Sequence, residues 1–187
     1  MNLPLEKEKR YTYTDYLQWD DEVRHELMDG VAVALASPVL NHQRILRELS
    51  YFLTSFLKGK SCELFVAPSA VKLTDDIVLE PDLFVVCDRK KLDGRACNGA
   101  PDLVVEIISP STASYDCIDK FQKYLHAKVR EYWIFHPDSK TVNAFVLDGD
   151  KYIGSAFGEN DKLPSTVLEG FVVDLAEVFE VMVGNEQ

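Results

Sequence analysis

No run in this 187-residue sequence approaches the roughly 18 consecutive apolar residues that a membrane-spanning helix needs, which argues against a helical membrane protein. The opening Met-Asn-Leu-Pro-Leu-Glu-Lys-Glu-Lys-Arg lacks the apolar core of a signal peptide, so the expected location is the cytoplasm. Cysteine is scarce. Cys62, Cys87, Cys97 and Cys117 form no C-x-x-C pair and have no nearby histidine to complete a zinc set, so reduced structural thiols are expected. Positive charge is also short: 20 Lys and Arg stand against 31 Asp and Glu, a formal net charge of −11. That balance is awkward for nucleic-acid binding, in which Lys and Arg neutralise phosphates. Local patches remain open, and the dense basic one is the polar connection Asp88 to Gly99 with Arg89, Lys90, Lys91 and Arg95. It reads either as a solvated loop or as a phosphate-contacting loop beside an active site. There is no low-complexity tract and no solenoid period.

What is present suits one domain over 1–187, its core at about 11–180, with 47% hydrophobic and 27% charged residues. The most strand-like stretch is 102–109, where Val104, Val105, Ile107 and Ile108 surround Glu106 between Pro101 and Pro110. A short run of branched apolar residues reads as a central strand buried on both faces. Burying an ionised carboxylate there without a partner costs several kcal/mol or more, on the order of the penalties for any isolated buried charge. Glu106 therefore belongs either to a plain ion pair or to a site.

Around this strand, Thr14 followed by Asp15 looks like the cap of a short helix, followed by an acidic Asp20-Asp21-Glu22. Asp29-Gly30 between strand-like flanks predicts a type I′ hairpin, with Glu26 on its incoming strand. Ile45, Leu49, Phe52, Leu53 and Phe56 recur at three and four, predicting an amphipathic helix from Asn41 as N-cap to Leu57, with Gly59 beyond it and His42 in its first turn. Strand-like segments follow at 62–72 and 77–87, then a helix from about Asp116 to Ala127, a strand at 131–135, a hairpin around Asp148-Gly149, a loop at 154–166, and a closing strand and helix through Phe179.

Pro-Asp-Leu opens two successive strands, at Pro81-Asp82-Leu83 and Pro101-Asp102-Leu103. In an antiparallel meander the start of one strand lies beside the end of the next, so Asp82 falls close to Glu106. Asp102 is four residues, roughly 13 Å, away along its own strand. Two converging carboxylates form a hard-oxygen site suited to Mg²⁺ or Mn²⁺, and such an ion can polarise a phosphate and acidify a water. The strand position two residues after Glu106 is Ile108, so the candidate lysine is Lys120 on the following helix. Its alternative role is a surface pair with Asp116, worth about 0.3 to 0.5 kcal/mol.

Glu80-Pro81-Asp82, then Ala100 to Ser111, then Asp116, Lys120 and Tyr124, then Val129-Arg130-Glu131-Tyr132-Trp133-Ile134, resemble the Uma family of restriction-endonuclease-like proteins in the PD-(D/E)XK nuclease-like superfamily. His25 to Gly30 and His42-Gln43 fit the same pattern. The resemblance covers about 11–180. It implies an α/β, restriction-endonuclease-like mixed sheet with an α-β-β-β-α-β core, helices on its faces and extra N- and C-terminal β-hairpins. It further implies metal held by Asp82 and Glu106, Lys120 as the displaced catalytic lysine, and Glu26 and His42 as additional site residues. Two positions depart from the pattern: Lys128 where Gly usually stands and His136 where Asp usually precedes Pro137. The function expected is Mg²⁺-dependent hydrolysis of DNA phosphodiesters. The rival is a non-catalytic, dimeric binding or regulatory module that keeps the fold, supported by the −11 charge and by the lack of a separate DNA-reading segment. Short edge strands near 25–35 and 140–155 make a homodimer an expectation under either reading.

Overall fold

The computed structural model describes residues 9–19, 23–108 and 119–182. In chain order the elements are α1 (Tyr13–Tyr16), β1 (His25–Met28), β2 (Val31–Ala34), α2 (Leu40–Leu57), β3 (Glu63–Val66), β4 (Ala70–Lys72), β5 (Val78–Leu79), β6 (Leu83–Val86), β7 (Ala96–Asn98), β8 (Leu103–Ile107), α3 (Phe121–His126), β9 (Glu131–His136), β10 (Thr141–Asp148), β11 (Lys151–Gly158), β12 (Lys162–Pro164), β13 (Val172–Asp174) and α4 (Leu175–Glu180).

A six-stranded sheet runs β11-β10-β9-β8-β6-β3 and a five-stranded sheet β2-β1-β5-β4-β7, with β12 and β13 as a separate ribbon. β3, β6 and β8 form the antiparallel meander, and β9 returns parallel to β8 after α3. The order α2-β3-β6-β8-α3-β9 is the α-β-β-β-α-β core. The segments 62–72 and 77–87 are not single strands. The first leaves the large sheet at Pro68 and continues in the small one, and the second passes from the small sheet into the large one at Pro81, because proline cannot donate to a ladder. Glu80-Pro81-Asp82 is thus the step between two sheets.

Alternation along β8 decides which helix each side chain meets. Leu103, Val105 and Ile107 join Ile45, Leu49 and Leu53 of α2, while Val104 and Ile108 join Tyr124 of α3 and Val71 and Leu79 of the small sheet. Glu106 shares the α3 face, which is why a helix residue can reach it.

Several expectations are corrected. Cys62 and Cys87 form a disulfide: the register sets Glu63 opposite Val86, so the flanking cysteines face each other with Cα atoms 3.9 Å apart. Cys97 is free and buried, and Cys117 lies outside the described residues. The α1 cap is Thr12, in a reciprocal capping box with Asp15. The α2 cap is Val39, while Asn41 Oδ1 accepts from Arg44 Nη1 at 2.7 Å. The expected loop at 154–166 is strand as far as Gly158 and again at Lys162–Pro164; Gly154 misled because Phe145 packs over it, leaving no room for a Cβ. The connection 88–99 holds a 3₁₀ turn at Arg89–Lys91 and strand β7. Asp116, Ser109 and Asp20 to Glu22 lie outside the described residues.

Candidate active site

Glu26, in the middle of β1, is fully buried. The hairpin fixes its register: Asp29 and Gly30 both take positive φ, as a type I′ turn requires. Its Oε1 accepts from the Glu80 amide at 2.8 Å and from Lys120 Nζ at 2.8 Å. Its Oε2 is buried without a hydrogen-bond partner among the described residues.

Asp82 follows the sheet-to-sheet step. With Leu83 paired to Val105, it falls opposite Glu106, as the meander predicts. Its Oδ2 accepts from the Ile107 amide at 2.7 Å, and its Oδ1 lies 3.0 Å from His42 Nε2 in the first turn of α2. Glu106 Oε1 accepts from Lys120 Nζ at 3.0 Å and from Tyr124 Oη at 2.8 Å, one helical turn apart on one helix face. Burial, then the nearby Glu106 and Glu26 carboxylates, holds the Tyr124 hydroxyl well above its ordinary pKa, so it stays a donor.

All five sequence-predicted residues, Glu26, His42, Asp82, Glu106 and Lys120, therefore converge. Asp102 does not: it accepts from the Cys87 amide at 2.7 Å and pairs with Arg130 at 3.0 Å at the far end of β8. Sequence reasoning missed Tyr124, Glu80 and Arg24 as site residues. Tyr124 was legible from its spacing of four from Lys120. Glu80 is held by Tyr16 Oη at 2.8 Å and by Arg24 through Nε at 2.9 Å and Nη2 at 2.6 Å, long-range contacts with no local signal.

Arg24, His42, Glu80, Asp82, Glu106 and Lys120 line a cleft of about 170 Å³. Arg89, Lys90, Lys91 and Arg95 do not line it. Arg89 pairs instead with Glu63 at 2.6 Å, at the end of β6 away from Asp82, so the basic loop is not beside these carboxylates. Among the described residues, four carboxylates, those of Glu26, Glu80, Asp82 and Glu106, meet two basic side chains, Arg24 and Lys120. Carboxylates gathered in a partly buried place are hard oxygen donors of the kind a divalent cation takes. No group of three or more His, Cys, Asp or Glu among the described residues forms a ready metal cage. Magnesium needs only one or two carboxylates, with waters and substrate phosphate completing its shell, so Asp82 and Glu106 fit it.

A crystal structure of "a putative nuclease belonging to DUF820" from Anabaena variabilis superposes with a TM-score of 0.76 at 18% identity, over 90% of this chain and 97% of that one, and shares its fold. The chain is 30% identical over 140 residues to the "Uncharacterized protein slr1290" of Synechocystis, covering 73% of this chain and 74% of that protein. It is 24% identical over 163 residues to "Uncharacterized protein sll1609" of the same organism, covering 83% and 92%. The Uma2 family model, described as "Putative restriction endonuclease", matches residues 13–176, and with a nuclease-like fold carrying the carboxylates and lysine of that pattern in one cleft, this chain belongs to the Uma2 family.

Proposed function

We propose that this protein is a metal-dependent endonuclease that hydrolyses DNA phosphodiester bonds. The observation that carries the reading is Lys120 Nζ at 3.0 Å from Glu106 Oε1 in a cleft that Asp82 also lines. When bound by Asp82 and Glu106, Mg²⁺ or Mn²⁺ would polarise the phosphate and lower the pKa of an attacking water. Lys120, gripped by Glu26 and Glu106, presents a fixed positive charge that orients the water and stabilises charge developing on the phosphate oxygens. Tyr124 steadies Glu106, and His42 steadies Asp82. The test is cleavage of supercoiled, linear and single-stranded DNA with Mg²⁺, Mn²⁺ or EDTA, beside Asp82→Ala, Glu106→Ala and Lys120→Ala. Metal-dependent cutting lost in all three variants is expected. Cutting that survives Glu106→Ala overturns the assignment.

A second reading, a binding module that keeps the fold without cutting, is favoured by one observation: the basic loop 89–95 does not rim the cleft. Inactivity on every DNA substrate, with no Mn²⁺ binding by wild type or Glu106→Ala, selects it.

A further inference from the structure

We infer that Arg24 is the phosphate anchor of the cleft: its guanidinium, fixed on one edge by Glu80, takes on its other edge a backbone phosphate next to the one being cut. The inference rests on the reading of the substrate as DNA.

Among the described residues, the basic side chains that line the cleft are Arg24, His42 and Lys120. Lys120 is 3% exposed and lies against Glu26 and Glu106; His42 is 8% exposed and lies against Asp82. Arg24 is 42% exposed. Of the three, it is the one that an incoming anion can touch without displacing a buried ion pair.

A guanidinium has two planar donor edges, Nε with Nη2 and Nη1 with Nη2. Glu80 takes the first, its Oε2 accepting from Nε at 2.9 Å and from Nη2 at 2.6 Å. Glu80 Oε1 accepts from Tyr16 Oη at 2.8 Å, so this carboxylate, 10% exposed, is held from both sides. The second edge of Arg24 has no acceptor among the described residues. That edge matches two oxygens of a phosphate, the bidentate pairing for which arginine is suited. Asp82 and Glu106 in the same cleft fit an ion that itself binds substrate phosphate, so the anion beside Arg24 belongs to the same DNA strand.

The backbone fixes where this edge stands. The Leu35 amide donates to the Arg24 carbonyl at 2.8 Å, which carries the β1–β2 ladder one residue beyond His25. Arg24 therefore shares a strand face with Glu26, two residues and roughly 6.6 Å further along. Glu26 grips Lys120, so it stands between Arg24 and the lysine, and the phosphate at Arg24 is a neighbour of the reacting one. Holding the fork in place beforehand reduces the entropy lost when the strand binds.

The experiment measures binding of a labelled DNA duplex to the full chain in EDTA over a series of salt concentrations, beside cleavage in Mg²⁺. Arg24→Gln should bind about tenfold more weakly at low salt, and equally so for unrelated sequences. Its plot of log affinity against log salt should be shallower by about one, a change that a merely structural role does not produce. In cleavage, KM should rise while kcat stays within about twofold, because a phosphate away from the scissile bond is held alike in ground and transition states. Arg24→Lys keeps a cation beside Glu80 but has no second edge, so it too should bind several-fold more weakly, at a melting temperature close to that of wild type. Wild-type binding by Arg24→Lys, an unchanged salt slope in Arg24→Gln, or a loss confined to kcat would each overturn the inference while leaving the nuclease reading in place. Binding that depends on Arg24 without any cleavage would keep the inference and select the binding module. A wild type that neither binds nor cuts DNA would overturn both.

Discussion

Lys120 Nζ bridges two buried carboxylates, 2.8 Å from Glu26 and 3.0 Å from Glu106, so that one side chain of α3 ties β1 of the small sheet to β8 of the large one. Removing one member of a buried ion pair costs about 3 to 5 kcal/mol, because the charge left behind is uncompensated. Lys120→Met keeps the stem's packing and deletes the charge, so it should lower stability by about 3 kcal/mol, at the low end of that range. Chemical denaturation read by tryptophan fluorescence measures this, and an unchanged midpoint would refute it. Addition of Mg²⁺ or Mn²⁺ should restore part of the loss in Lys120→Met, since a cation replaces the missing one.

Tyr124 gives the site an alkaline signature. Its pKa is raised above the unfolded value, so both states hold the proton below pH 10, and above it the unfolded chain releases the proton first. The stability it contributes is therefore intact below pH 10 and lost as pH rises further. Tyr124→Phe should cost about 1.5 to 3 kcal/mol at neutral pH, the worth of a hydrogen bond to a charged acceptor, and should flatten the fall of melting temperature above pH 10. Tyr16 and Tyr152, also raised by burial, keep some slope in the variant. An identical slope in both proteins would count against the assignment.

Much of this fold was legible because local and global signals agree. Asp29-Gly30, the apolar stripe of α2 and the repeated Pro-Asp-Leu each specify one arrangement, and the meander then places Asp82 beside Glu106. What was illegible depends on contacts far apart in sequence. The Cys62–Cys87 bond, 25 residues apart, follows from strand register and not from cysteine spacing. Glu80 looked like part of a motif, but its partners Tyr16 and Arg24 lie 64 and 56 residues away. Gly154 read as a loop because the Phe145 ring that demands it belongs to the neighbouring strand.

The disulfide makes a direct prediction. In Cys117→Ser, no thiol should react with Ellman's reagent in the native protein, since burial pushes the Cys97 thiol up to about 11. Denaturation should expose that one thiol, and reduction two more. By the chain-entropy model, reducing the bond that closes a loop of 25 residues costs about 3.5 kcal/mol. Three reactive thiols without reductant would show the pair unbonded.

Lys128 explains one departure from the family pattern. The Val129 amide donates to the Tyr124 carbonyl and the Lys128 amide to that of Leu125, both at 3.0 Å, which is the bonding of a Schellman motif closing α3. Lys128 takes φ +66°, a left-handed position at which glycine meets no Cβ penalty. Lys128→Gly should therefore stabilise the protein by about 1 kcal/mol, or about 2 to 4 °C in melting temperature for a chain of this size. The exposed pair of Lys128 with Asp150 adds little to the wild type. A drop in melting temperature would mean that the side chain matters more than the backbone.

Glu131 is the control for Glu106. Both are buried carboxylates, on adjacent parallel strands. Glu131 Oε1 accepts from Trp133 Nε1 at 2.8 Å, and its Oε2 accepts from Ser165 Oγ, the Thr166 amide and hydroxyl, and the Val167 amide. Those donors satisfy the charge entirely within the protein and anchor 165–167 to β9, so Glu131 is structural. Glu106 shares its cleft with Asp82, a second carboxylate with which it could share an added ion. Divalent ion at about 100 times its dissociation constant adds about 2.7 kcal/mol to a protein that binds it only when folded. Wild type and Glu131→Gln should therefore show the same upward shift of melting temperature with Mn²⁺, Glu131→Gln starting lower, and Glu106→Gln should show none. Equal shifts in the wild type and both variants would place the ion elsewhere and leave Glu106 as another satisfied ion pair.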